Sequence, residues 1–446
     1  MSAFEAARDH YLSRHAGFVG ELGSEPGWLG SLRQEALACF SEEGFPQRSL
    51  EEWRYTNVAP IAKQLFELPA RAAASPDRER LEALSFPVFA CGLFVFVNGS
   101  FRPELSAPPA LSAGIRVESL AELRAEAPEQ LSDRFGREAP LKGSPFAALN
   151  TAFVSDGAVL RVPRGFQDEQ PVHVVFVSTD AEEPAIQHPR LLIDAEPGSR
   201  ILVIQDHVTM GRAPGFTNAV GEVHVGEDAE VDLVIVQREH DAHFHVSGLH
   251  VRQERDSRFS AHTLTLGGAL VRNDATVLLA GTGASCNLGG LFVGGGTQTI
   301  DNHTLVDHAV PHCSSRELYK GVLGGRARGV FRGRVIVRPD AQKTNALQSN
   351  PNLLIGRGAE MDTKPQLEIY ADDVRCSHGS SIGQLDADAI FYLRCRALSL
   401  EHARDLLTRA FAHEVTNALP VPGLGEGLDA LLLERLSHAR GDTEAA

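Results

Sequence analysis

No P-loop of the form G-x-x-x-x-G-K-[ST] occurs in the 446 residues, so any ATP use falls to another subunit. A G-x-S-x-G elbow and a His-Glu-x-x-His helix are missing too, which sets aside common hydrolase readings. Positive charge is in deficit: Lys and Arg number 42 against 58 Asp and Glu, a formal net charge of −16. Neither nucleic acid nor an anionic membrane surface is therefore an expected partner. No apolar run approaches a membrane span, and residues 1–30 lack the basic start and apolar core of a signal peptide, so the expected location is the cytoplasm. The six cysteines, Cys39, Cys91, Cys286, Cys313, Cys376 and Cys395, form no C-x-x-C pair and no zinc-type spacing. An iron–sulfur cluster takes about four thiolates or close substitutes. One chain does not offer them in one place.

What the sequence does contain changes character twice. Trp28, Leu32, Ala36 and Phe40 recur at i, i+4, and the first ninety residues read as helical. "CGLFVFVNGSFRPELS" predicts a hairpin turning at Asn98-Gly99, a pair suited to positive φ. From about Ala158 to Leu385 the chain is Val- and Ile-rich, alternating, and punctuated by glycine. Phrases such as "PGSRILV", "GEDAEVDLV", "ERDSRFSAHTL", "GTGASCNL" and "PHCSSREL" repeat a turn residue, a small residue and then an alternating strand. Their spacing of about 27 to 30 residues, later about 14 to 18, is that of full and half coils of a β-solenoid. A sandwich or a double-stranded barrel is the competing arrangement. After Leu398 the period becomes helical: Ala403, Leu406, Leu407, Ala410, Phe411, Val415, Ala418 and Leu419 share a face behind Ser399 as N-cap. A second helix follows "PVPGLGEG", with Leu428, Leu431, Leu432 and Leu436 on one side. The pair is suited to capping a solenoid end or to presenting a surface to a partner. The expected organisation is a mainly helical domain with a short hairpin at 1–157, a solenoid core at 158–397 and a helical domain at 398–446.

Two clusters are candidate sites. In a strand, Cys376 and His378 project from one face while Ser377 points away. A thiol beside an imidazole is half of a soft metal site, a reactive thiol with its base, or a packed pair. Glu368, Asp372 and Asp373 nearby could supply oxygen ligands or simply hydrate the edge. In "REHDAHFHVSGLHV", His243 and His245 with His240 and His250 resemble the His-x-His of a cupin metal site. His250 stands at the wrong offset for a third ligand, and the glutamate expected after the pair is missing. Cys286 and Cys313 lie about one repeat apart, as if stacked in successive rungs, an arrangement expected to be packing.

"NPNLLIGRGAEMDTKPQLEIYADDVRCSHGSSIGQLDADAIFYLRCRALSLEHARDLLTRAFAHEV" resembles the C-terminal half of the SufB/SufD family of iron–sulfur cluster assembly scaffolds, and "EEWRYTN" at 51–57 resembles its N-terminal signature. Gly379 after His378 places the resemblance on the SufD side of that family. It implies a right-handed parallel β-helix flanked by N- and C-terminal helical domains, and a scaffold subunit without catalysis of its own. The partners implied are a SufB-like paralogue through the β-helix and a SufC-like ABC ATPase through the C-terminal helices, with a homodimer as an option for the isolated chain. His378, and with less support Cys376, would hold iron or a nascent cluster at the seam with the partner. Reduced flavin is a further cofactor that the residues do not decide. Two positions depart from the family pattern: Ala397 stands where glycine is usual, and Cys395 where serine is common. The readings from other classes are a β-helix carbohydrate-active enzyme and a histidine-based metalloenzyme.

Overall fold

A computed structural model describes residues 2–69, 76, 79, 81, 92–107, 115–167, 170–181, 183–421 and 423–441. Cys91 and part of the first ninety residues lie outside this set. From Arg200 to Leu354, strands are laid down alternately in two sheets, so that within this span each strand pairs with the one two places further along the chain. Arg200, Glu230, Arg258, Ser285, Ser314, Asn345 and Arg375 stand side by side in seven parallel strands of one sheet. The other sheet is built likewise, Phe216 beside Phe244, Leu270, Thr299 and Arg328. One coil of about 27–31 residues thus adds one strand to each sheet, which is a parallel β-solenoid. Parallel in-register stacking excludes the sandwich, whose sheets are antiparallel.

The repeated phrases have a local cause. Gly198, Asp228, Asp256, Gly283, His312 and Lys343 occupy equivalent corners with φ between 55° and 80°. Each is followed by a small buried residue: Ser199, Ala229, Ser257, Ala284, Cys313 and Thr344. The corner turns left-handed, and only a short side chain fits under the next coil. Cys313 fills such a corner, while Cys286 lies in an inward column opposite Phe259 and Ser315. The two thiols are not opposite one another; both belong to the main core, and burial pushes both up in pKa. They pack.

The interior is filled by the inward column residues, among them Val203, Leu233, Ala261, Leu288 and Phe331. Burying a side chain of this size contributes about 1.5–3 kcal/mol. The outward faces are covered by helices. On the eleven-stranded sheet lie Ala3–Leu22, Gly27–Glu43, Ala59–Gln64 and the fully buried Pro145–Phe153, meeting the solenoid at Ile186, Phe216, Phe244, Val246 and Leu270. The "EEWRYTN" segment fastens this layer: Trp53 is buried beneath the Arg272 guanidinium, 3.6 Å from its ring centroid, and Arg272 donates to the Glu52 carbonyl at 2.8 Å. Glu51 pairs with Arg332 and Lys364.

The predicted hairpin is present, Gly92–Val97 turning through Asn98 (φ 48°) and Gly99 (φ 76°) into Ser100–Phe101. Its first strand runs parallel to Val172–Thr179 and so belongs to the ten-stranded sheet. The C-terminal helices Leu400–Thr416, capped by Ser399, and Leu424–Gly441 do not close the solenoid end. They lie along the outer face of the ten-stranded sheet, Val415, Leu428, Leu432 and Leu436 packing on Ile204, Val236, Leu264 and Val322. The outward residues of that sheet are themselves apolar, so the flank needed covering more than the end did. A further helix, Ala387–Cys395, stands within the span assigned to the solenoid and buries none of its residues.

Candidate functional site

The strand Arg375–Gly383 is the last of the ten-stranded sheet, paired on one side with Asn345–Leu354 and unpaired on the other among the described residues. Register sets Cys376 over Ala346, His378 over Gln348, Ser380 over Asn350 and Ile382 over Asn352. In the strand below, those four positions are buried and alternate on the inward face, while the buried Leu353 packs in the cluster on the outer face. Cys376 and His378 therefore continue inward-facing columns past the point where anything lies above them. The site is the open end of the interior.

The open end is not uniform. Cys376 is half-buried against Val335, Val337, Ala341, Ala346 and Ala371, and burial pushes its thiol up in pKa. That disfavours a free reactive thiolate and leaves the role of thiolate to conditions that supply a cation. His378 is exposed. The neighbouring acids have other occupations: Glu368 forms a two-pronged pair with Arg334 at 2.7 and 3.0 Å, and Asp373 pairs with Lys343. Asp372 is exposed to solvent. Cys376 and His378 thus supply two soft or borderline donors on one face, with further coordination positions to be filled from outside the pair.

Glu317 was not singled out from the sequence, where it is one acid among 58. It lies in the same column as His378 with Gln348 between them. Its carboxylate accepts from Thr304 Oγ1 and, at 3.1 Å, from Gln348 Nε2. Burial raises its pKa to about 7 despite those two donors. A carboxyl group that takes up and releases protons near neutrality therefore stands two strands inside the open end. The signal for it is strand alternation extended backwards from His378 with the register known, which spacing alone does not supply.

The other histidine cluster is divided by the fold. His245 points inward and His243 lies just before its strand on the same side, with Nε2 2.9 Å from Thr217 Oγ1. His240 accepts from the Ala242 backbone, and His250 is buried away from them beside Gly248. The third and fourth partners that the sequence reading lacked are Glu239, which precedes the pair, and His207 from the opposite sheet.

The fold defines a parallel β-solenoid protein, helical on both flanks, whose last strand leaves a thiol and an imidazole at its open end. Comparisons with known proteins give the family. Residues 176–411 match the family model described as the SUF system FeS cluster assembly, SufBD core domain, and residues 23–174 match the SufBD protein N-terminal region. The chain is 32% identical over 410 residues to an iron-sulfur cluster assembly SufBD family protein of Synechocystis, covering 90% of each chain. It is 30% identical to the iron-sulfur cluster assembly protein SufD of Escherichia coli, over 90% of this chain and 92% of that one. Against SufD of Bacillus subtilis it is 26% identical, over 92% and 95%. This chain belongs to the SufBD family of iron-sulfur cluster assembly proteins.

Proposed function

We propose that the chain is the SufD-like scaffold subunit of a cytoplasmic assembly complex and lends His378 and Cys376 to a site for iron or a nascent iron–sulfur cluster shared with a SufB-like paralogue. The metal is cargo, delivered and passed on. The observation that carries this reading is the two-donor set on a strand whose outer edge is unpaired among the described residues. A cluster needs about four ligands, and an edge strand with free backbone donors and acceptors is a template for a second chain. Tyr370, Ile382 and Leu347 are exposed by 61%, 46% and 43% around it, apolar surface of the kind that a partner buries. Glu317 fits beneath such a site as a group able to take the proton that a thiol or an imidazole gives up on binding metal.

A SufC-like ABC ATPase would dock on the C-terminal helical region. The missing P-loop and the exposed Phe391, Tyr392 and Leu406 support that assignment. The subunit then contributes no catalysis of its own, and a reduced flavin, if the complex uses one, needs a place that the Cys376–His378 pair does not provide. Native mass spectrometry of the tagged protein purified anaerobically from its host tests the partners. Recovery with a paralogue and an ABC-type ATPase is expected; recovery only as a monomer or homodimer would contradict the proposal.

A further inference from the structure

A second cluster of metal-ligating side chains lies several coils away from the open end, deep in the interior. His207 comes from the strand Arg200–Met210 of one sheet and His245 from the strand Phe244–Gln253 of the other. Their rings meet across the core, edge to face, with centroids 4.9 Å apart. Glu239, just past the strand Glu230–Arg238, completes the group. All three are exposed by 1%. One donor atom from each lies within 4.8 Å of the other two.

Two independent features call for a cation there. Glu239 is a buried carboxylate whose hydrogen bonds come from Thr217 Oγ1, from Gln237 Nε2 at 3.0 Å and from His245 Nδ1 at 2.7 Å, with His243 Nε2 at 3.2 Å. The positive charge that balances this carboxylate comes from a protonated His243 or His245 or from a bound cation. Further, His207 Nδ1 and His245 Nε2 are buried without a hydrogen-bond partner. Buried polar atoms are ordinarily satisfied, and each exception calls for a reason. His245 gives Nδ1 to Glu239 and leaves Nε2 bare, so for both residues to bind one ion Glu239 gives up that bond and swings to the ion. A cavity of about 20 Å³ runs from the exposed Asp180 and Ala213 to His243, the residue beside Glu239, and does not touch the three donors themselves.

We propose that His207, Glu239 and His245 bind one divalent first-row cation of the borderline class, Zn²⁺ or Fe²⁺, inside the solenoid. Two nitrogens and one oxygen suit that class. Bonds of about 2.0–2.2 Å draw the three atoms inward from their present spacing, a movement that side-chain torsions supply. His243 and Thr217 then hold Glu239 from behind. The bound ion ties the two sheets together where the interior is polar, and the site is independent of the reading of Cys376 and His378.

Cobalt(II) is the probe. The full chain, stripped with chelator and carrying Cys376→Ala and His378→Ala to remove the open-end donors, is titrated with Co²⁺ under anaerobic conditions. The expected result is one equivalent bound, with visible ligand-field bands, no thiolate-to-cobalt charge transfer and a higher Tm. His207→Gln with His245→Gln should abolish stoichiometric binding, and Glu239→Gln should weaken it by about 10-fold or more. No stoichiometric binding to the parent chain, or binding undiminished in the double variant, would overturn the site. Should the variants fail to fold by circular dichroism, X-ray absorption on the cobalt-loaded parent chain decides. Two imidazoles with oxygen neighbours support the assignment, and any other ligand set overturns it.

Discussion

The coils in the middle of the solenoid and the coil at its end are made from the same pattern, yet one is a core and the other a surface. At Glu317 and Gln348 the inward column is buried; at His378, the next position up, it is open. Alternation assigns all three to the interior, and only the end of the winding leaves His378 exposed. A solenoid exposes an inward position by stopping. Ion pairs follow the same division: Arg190 with Glu222 is sealed in, whereas Arg334 with Glu368 stands in water.

That contrast can be broken hardest from the buried side. Arg190→Met strands the Glu222 carboxylate, which also accepts from the backbone of Gly136 and Glu138, in a dry setting. Urea unfolding should show a loss of about 3–5 kcal/mol; a loss under 1 kcal/mol would mean that the pair is wetter than its burial indicates. Nearer the end, Glu317 makes stability depend on pH. Its folded pKa of about 7 lies above the ordinary 4.5, so the native state holds the proton more tightly than the unfolded chain. Its contribution is full below about pH 4.5 and is lost as pH rises through about 7. Glu317→Gln should flatten that fall, raising stability near pH 8 by up to about 3 kcal/mol; parallel Tm-against-pH curves for the two proteins would refute it.

Ala397, just beyond the exposed helix Ala387–Cys395, has φ 69°, a left-handed conformation costing a non-glycine residue about 1–2 kcal/mol. Ala397→Gly should gain up to about 1 kcal/mol after glycine's own entropic cost, read as a higher urea midpoint. An unchanged or lower midpoint would mean that the turn relaxes in solution. The smallest effect belongs to the site itself: His378→Ala should leave stability of the isolated chain within about 0.5 kcal/mol of the parent. A larger loss would make His378 a packing residue.

Much of this was legible in the residues. The turn–small–strand phrases recur because each corner needs a left-handed residue and then a short one, so the coil length could be read without coordinates. The pairing of Cys376 with His378 on one face follows from strand geometry, and the departure from glycine at Ala397 falls where the backbone has a positive φ. Other features depend on register between distant strands. Nothing local links His207 to His245 or Glu317 to His378, because those contacts arise only when separate coils are stacked. The docking of the C-terminal helices was likewise hidden. Their apolar faces show that something is covered, and the outward Ile204, Val236 and Val322 that they cover are scattered over more than a hundred residues.

The most direct test of the central claim is the iron content of the assembled complex, measured after anaerobic purification and cluster reconstitution, with the parent subunit and with His378→Ala. If His378 completes a shared site, the variant assembles with the same partners in the same proportions but holds markedly less iron. Equal iron in intact complexes would contradict the account.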